Sequence, residues 1–205
     1  MSCLIRPCST RDLKKVMRLV WEIAGIYKVP PGEVKTSEEA LTQAGFGDPP
    51  LFECFVAQLP PGQTTPEGHS IVGYVLSSYT YSTWRGRSLY IDNLYVQPPY
   101  RDPKDPGIWA PVPHFYPPPP KDPGIWALVP RSHPHPERTH QAAVAQGCFQ
   151  LRMHVANDKP ESEAFLARRG GRDLTRHHAW ALGRFPPAAL ARLAAGTQVF
   201  GGRRG

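Results

Sequence analysis

Few side chains in this sequence stand in patterns that do chemistry by themselves. Cys3, Cys8, Cys54 and Cys148 have neither the CxxC spacing of a zinc site nor the density of a disulfide-stapled scaffold, so reduced thiols are expected. His154 falls alone in a β-type run, where surface exposure or packing is the commoner role of a single histidine. Asp92 is the one carboxylate in the run Ser88 to Val96, and an exposed strand residue is its simplest reading. Charge carries more information. Residues 1–96 hold nine Lys/Arg against nine Asp/Glu, and residues 97–205 hold fifteen against eight, so the net +7 belongs to the second part. A basic half suits a phosphorylated cofactor, nucleic acid or an anionic membrane surface, with a solvated surface as the plain alternative. No helix-turn-helix, zinc or RNA-binding pattern accompanies it, so nucleic acid is not expected as a partner. The run Phe115-Tyr116-Pro117-Pro118-Pro119-Pro120-Lys121 can adopt polyproline II and dock in the groove of an SH3 or WW domain, although Pro-rich inserts more often stay unpacked.

The elements that must position these residues follow from periodicity and punctuation. Leu4 to Pro7 reads as a short strand. Ser9-Thr10-Arg11-Asp12 supplies a cap for a helix whose apolar face is Leu13, Val16, Met17, Val20, Ile23 and Ala24, stopped by Pro30 and Pro31. A second helix starts at Thr36/Ser37, with Glu38 and Glu39 near its positive end, and breaks at Gly45-Phe46-Gly47. Phe52 to Leu59, Ser70 to Tyr81 and Ser88 to Val96 are β-type runs joined by short loops, an antiparallel meander. Further on, Glu137 to Gln146 suits a helix, Phe149 to Val155 a strand, Glu161 to Arg169 a helix and Ala179 to Arg184 a strand. The expected class is α/β, with a mixed, mostly antiparallel sheet flanked by helices. Of the 25 prolines, 14 fall within residues 97–136. Residues 1–185 are therefore read as one domain interrupted by an irregular Pro-rich insert at 101–136, and 186–205 as a C-terminal tail. Within the insert, Lys104 to Pro113 recurs as Lys121 to Pro130 with nine of ten residues identical. No segment approaches the roughly eighteen continuous apolar residues of a spanning helix, and a soluble, cytoplasmic chain is expected.

Particular words in this order carry a resemblance. They are Ile5-Arg6-Pro7, Ser37-Glu38-Glu39-Ala40-Leu41, Gly45-Phe46-Gly47-Asp48, Pro66 to Tyr74, Tyr81 to Gly86, Leu89 to Val96, Pro99-Tyr100-Arg101, Gly147 to Gln150 and Arg169 to Thr175. Together they resemble the Gcn5-related N-acetyltransferase (GNAT) superfamily, and within it the spermidine/spermine and thialysine acetyltransferases, over about 4–101 and 137–185. The resemblance implies transfer of an acetyl group from acetyl-CoA to the primary amine of a small molecule. It implies that main-chain groups of Leu94, Tyr95 and Val96 hold the acetyl and pantetheine portions where their strand parts from its neighbour. Asp92 would draw in the amine and remove its proton. Trp84 corresponds to a substrate-side aromatic, Glu33 to an acidic substrate contact, and Tyr27 stands where the family has a Glu. The relatives are typically cytoplasmic homodimers.

Two departures are visible. After Tyr100-Arg101 the family continues with a Gly-rich turn opening a helix, whose N–H groups bind the CoA pyrophosphate. Here the chain reads Asp102-Pro103-Lys104-Asp105-Pro106-Gly107-Ile108-Trp109, and Arg101, Gly107 and Ile108 are what remain of that site. Leu166 stands where a Tyr normally protonates the leaving thiolate, with His154 as a conceivable substitute. The functional expectation is an N-acetyltransferase, set against a catalytically silent protein of the same fold that acts as a binding module.

Overall fold

A computed structural model of the chain describes residues 3–101, 143–155, 160–168, 170–178 and 186–194. They divide into two compact units between Phe165 and Leu166.

In the first unit the chain opens with β1 (Leu4–Pro7), followed by helix α1 (Leu13–Ile26). The link between them is an ion pair. Arg6 donates from Nη1 to Asp12 Oδ2 at 2.6 Å and from Nη2 to Asp12 Oδ1 at 2.8 Å, and its Nε donates to Gln58 Oε1 at 2.7 Å. Ser9 adds two donors to Asp12 Oδ2, its backbone N–H at 2.9 Å and its hydroxyl at 2.7 Å. The hydrogen bond from Arg6, more than those from Ser9, holds the buried Asp12 carboxyl well below the usual carboxylate range. One apolar face of α1, Leu13, Val16, Leu19, Ile23 and Ala24, is buried. Leu19, absent from the face expected from sequence, is fully buried, and Met17 and Val20, included in that face, are half-buried. Each of the three fully buried residues Leu13, Val16 and Leu19 contributes about 1.5–3 kcal/mol. Helix α2 (Glu38–Phe46) is capped as expected, Ser37 Oγ accepting from Ala40 N–H at 3.1 Å.

The expected meander is present as β2 (Glu53–Gln58), β3 (Ile71–Ser82) and β4 (Gly86–Val96), and β5 (Gln150–Met153) completes a five-stranded sheet in the order β1-β2-β3-β4-β5. The first three pairings are antiparallel, and β4 with β5 is parallel. Helix α1 packs on β3.

Strand β4 changes phase along its length. Leu76 pairs with Asn93 and Ser77 with Ile91, so Asp92 is the extra residue of a β-bulge. Ile91 and Leu94 are three apart and would face opposite ways on a regular strand. The bulge puts both in one apolar cluster with Phe55, Val75, Leu151 and Met153, while Val96 joins the adjoining cluster of Cys3, Ala57, Leu59, Val72 and Tyr100.

Helix α3 (Pro160–Arg168) contains the division; at its end Gly170 takes φ +81° and Gly171 N–H returns to Leu166 O at 2.9 Å, closing that helix. Helix α4 (Leu174–His178) is begun by Asp173, whose Oδ1 accepts from Thr175 N–H at 2.9 Å and Arg176 N–H at 3.2 Å. Helix α5 (Pro187–Ala194) lies in the stretch read from sequence as a tail. The expected strand Ala179 to Arg184 falls outside the described residues, as does nearly all of the Pro-rich insert with its repeat. Of the expected helix Glu137 to Gln146, residues 143–146 are described, and 143–145 of them are helical.

Two stability predictions follow from this framework. Replacing Asp12 by Asn removes charge-assisted hydrogen bonds from a buried site and should cost about 2 kcal/mol at neutral pH in urea unfolding. Because the folded-state pKa is depressed, this contribution is complete above the unfolded carboxylate value of about 4 and is lost as pH falls through the lower folded value. Wild type and variant should therefore converge on acidification, and a constant gap down to about pH 2 would contradict the assignment. A Cβ on Gly73 would stand 2.8 Å from Tyr95 O and 2.9 Å from Val96 Cγ2. Gly73→Ala should lower stability by about 1–3 kcal/mol through the shift of β4 that it forces.

Candidate active site

The site is defined by where two strands stop sharing hydrogen bonds. The parallel ladder runs from Ser88 opposite Gln150 to Ile91 opposite Met153, where β5 ends, while β4 continues through Asp92 to Val96. Gln97 N–H donates to Val72 O at 2.9 Å, which fixes the alternation of the last stretch of β4. Asn93, Tyr95 and Gln97 turn their main-chain groups toward β3. Leu94 and Val96 turn theirs to the other side, along which β5 pairs no further. The Val96 carbonyl accepts from Arg101 Nε at 2.9 Å. The Leu94 N–H and C=O and the Val96 N–H remain as an edge of two donors and one acceptor, with no strand paired to them among the described residues.

The far end of β4 is held from α1. Glu22 forms an ion pair with Arg18 and accepts from Gln97 Nε2 at 3.1 Å and 3.0 Å on its two oxygens, and from the Tyr95 hydroxyl at 3.4 Å. Arg18 Nη2 donates to Ile71 O at 2.6 Å, tying the same helix to β3. The Arg101 guanidinium carbon lies 5.9 Å from the centre of the Tyr95 ring. Burial, with help from the Glu22 charge, pushes the Tyr95 hydroxyl above its usual pKa, so the group stays a neutral donor.

Asp92 is exposed at the mouth of the opening, and the bulge turns it out of the regular pleat. Beside it, the Tyr90 hydroxyl and His154 Nδ1 are 2.8 Å apart, with the rings stacked at 6.1 Å between centres and 29° between planes. Burial and then the Asp92 charge raise the Tyr90 pKa.

The structure thus gathers Asp92, Leu94, Tyr95, Val96 and Arg101 on one strand and its exit. Trp84 is elsewhere: it is 79% exposed in the β3–β4 turn, and the extended strand from Gly86 to Asp92 is about 20 Å long. Tyr27 follows the last residue of α1, half-buried, and Glu33 is exposed in the 3₁₀ turn Pro31–Glu33. Gly107 and Ile108 lie outside the described residues. Sequence reasoning missed Glu22 and Gln97, which hold the strand end, and Tyr90, which holds His154. The signal for the bulge was present in the apolar positions Leu89, Ile91, Leu94 and Val96, whose even spacing slips by one residue at Asp92-Asn93.

No family model matches the chain. It is 32% identical over 193 residues to thialysine N-epsilon-acetyltransferase of Sus scrofa, an alignment covering 94% of this chain and 98% of the relative. It is 27% identical to spermidine/spermine N(1)-acetyltransferase-like protein 1 of Homo sapiens, covering 93% of this chain but 23% of that longer protein. Among solved structures, an integron cassette protein from V. cholerae superposes with a TM-score of 0.58 at 14% identity, covering 95% of this chain and 98% of the other. An aminoglycoside acetyltransferase from a soil metagenome, solved with sisomicin, gives a TM-score of 0.53 at 16% identity over 88% of this chain and 97% of its own. The shared fold and the end-to-end match to an acetyltransferase together mean that the chain belongs to the Gcn5-related N-acetyltransferase superfamily.

Proposed function

We propose that this chain transfers the acetyl group of acetyl-CoA to the primary amine of a small molecule. The observation that carries the reading is the open edge of β4 beside the bulged Asp92. A pantetheine arm is built of amides, and an amide chain laid along that edge replaces the missing strand, giving a donor to Leu94 C=O and an acceptor to Val96 N–H. With the arm so placed, the Leu94 N–H is the donor available to the thioester carbonyl, whose oxygen gains negative charge as the amine attacks. Arg101 supplies positive charge at the exit of the strand for the pyrophosphate, in a chain whose Gly-rich turn has been rewritten.

Asp92 is suited to the amine. Its carboxylate attracts an ammonium ion to the mouth of the opening and accepts the proton that must leave nitrogen, directly or through water. The thialysine and spermidine/spermine names of the relatives support an acceptor with a primary amine on a short aliphatic chain. Acetyl-CoA as acetyl donor, action in the cytoplasm and pairing into a homodimer are carried over from the family resemblance. Trp84 and Tyr81, exposed at the end of the β3–β4 hairpin, would then be available to a second copy.

Calorimetric titration with acetyl-CoA should show saturable binding, and a panel of thialysine, spermidine and lysine should reveal an acceptor. Absence of binding at roughly millimolar acetyl-CoA would overturn the proposal and leave the binding-module reading. Asp92→Asn should lower kcat by about a hundredfold or more while acetyl-CoA binding is unchanged. Unaltered turnover in that variant would remove Asp92 from the mechanism.

A further inference from the structure

We propose that His154, oriented by Tyr90, is the acid that protonates the CoA sulfur as the acetyl–sulfur bond breaks; this rests on the acetyl-transfer reading above. The register places it. The last parallel pair is Ile91 with Met153, so the next residue of each chain is Asp92 on one side and His154 on the other. The two stand on opposite lips of the opening, one acidic and one basic in type, with the Leu94 N–H two residues deeper along β4. A thioester carbonyl held by that N–H has its sulfur between the lips, within the space that an imidazole projecting from the end of β5 can enter.

The hydrogen bond to Tyr90 gives the ring its aim. Nδ1 is engaged by the Tyr90 hydroxyl at 2.8 Å, so Nε2 is the nitrogen left for the sulfur. Tyr90 remains a neutral phenol because burial and the neighbouring Asp92 charge oppose its ionisation, and a phenol can accept from Nδ1–H as well as donate to a bare Nδ1. The charged groups closest in register are Asp92 on β4 and Arg152 on β5, the latter opposite Tyr90. His154 is exposed, so water can restore its proton after each turnover.

The step balances as follows. The amine nitrogen forms a bond to the thioester carbon and gives up one proton to Asp92 or to water. The carbon–sulfur bond then breaks, its electron pair going to sulfur, and sulfur takes the Nε2 proton of the imidazolium. The products are the amide and free CoA thiol, with a neutral imidazole that keeps its Nδ1 proton on Tyr90 until solvent reprotonates Nε2. The family resemblance puts Leu166 where a Tyr gives this proton, and leucine has none to give, so the proposal calls on a donor from another element for catalysis beyond what solvent provides.

The test uses the full chain with acetyl-CoA and the best acceptor amine. His154→Ala should lower kcat by about a hundredfold or more with the KM for acetyl-CoA little changed, and added imidazole should restore part of the loss. Tyr90→Phe should lower kcat less and should shift the ¹⁵N resonances that report which nitrogen of His154 carries the proton. Independently of turnover, titration of the wild type with CoA should move the His154 Nε2 resonance, and desulfo-CoA should not. If the wild type binds CoA and turns over while His154→Ala is equally fast, the assignment of His154 is wrong and the acetyl-transfer reading stands. If CoA moves His154 no more than desulfo-CoA does, the ring does not meet the sulfur and the proposal fails. If the wild type binds no CoA, the acetyl-transfer reading fails and takes this proposal with it.

Discussion

Everything in the site follows from a pair of parallel strands that stop sharing hydrogen bonds after four residue pairs. A peptide edge in a protein interior or cleft must find partners for its N–H and C=O groups, because an unpaired one costs about as much as a lost hydrogen bond. Here β5 ends and β4 runs on, so the requirement falls on Leu94 and Val96. A substrate rich in amides satisfies the same need that a sixth strand would. The open groups belong to the backbone, and the side chains of Leu94 and Val96 are left to the apolar clusters behind them.

Such an edge is useful only if it does not move, and the supports are placed accordingly. Gly73 lets β3 approach β4 so closely that a methyl group would meet the Tyr95 carbonyl. On the helix side, Glu22 gathers Gln97, Tyr95 and Arg18, and so joins α1 to the end of β4 through a half-buried carboxylate. The Asp92 bulge performs a different task. It restores Leu94 and Val96 to the apolar side and at the same point sends a carboxylate out of the sheet, so one extra residue both mends the packing and exposes a charge.

Much of this architecture was legible in the sequence, for reasons that differ element by element. Helix α1 and the three meander strands carry strong periodicity and clear stops, and local signals suffice for them. The Ser37 cap was readable because the bond spans only three residues. Glu22 was not, since its partners Tyr95 and Gln97 are more than seventy positions away and nothing local distinguishes it from a solvated helix residue. Helix α4 was missed because it is five residues long. Helix α5 was missed because an Ala-rich stretch after two prolines was read as an extension of a loose end. The position of Trp84 is of another kind: its match is a word in the sequence, and within one copy of the chain the length of β4 from Gly86 to Asp92, about 20 Å, lies between that word and the carboxylate.

The exit of β4 has a bearing on how this gene product tolerates change. Gln97 is tied back to β3 and Glu22, a 3₁₀ turn at Pro98–Tyr100 buries the Tyr100 ring, and Arg101 reaches back to the Val96 carbonyl. These ties act as a knot at the hem of the sheet. Every stitch of that knot lies at or before Arg101, so the weave is fastened by its own thread and borrows nothing from the repeat that follows in the sequence.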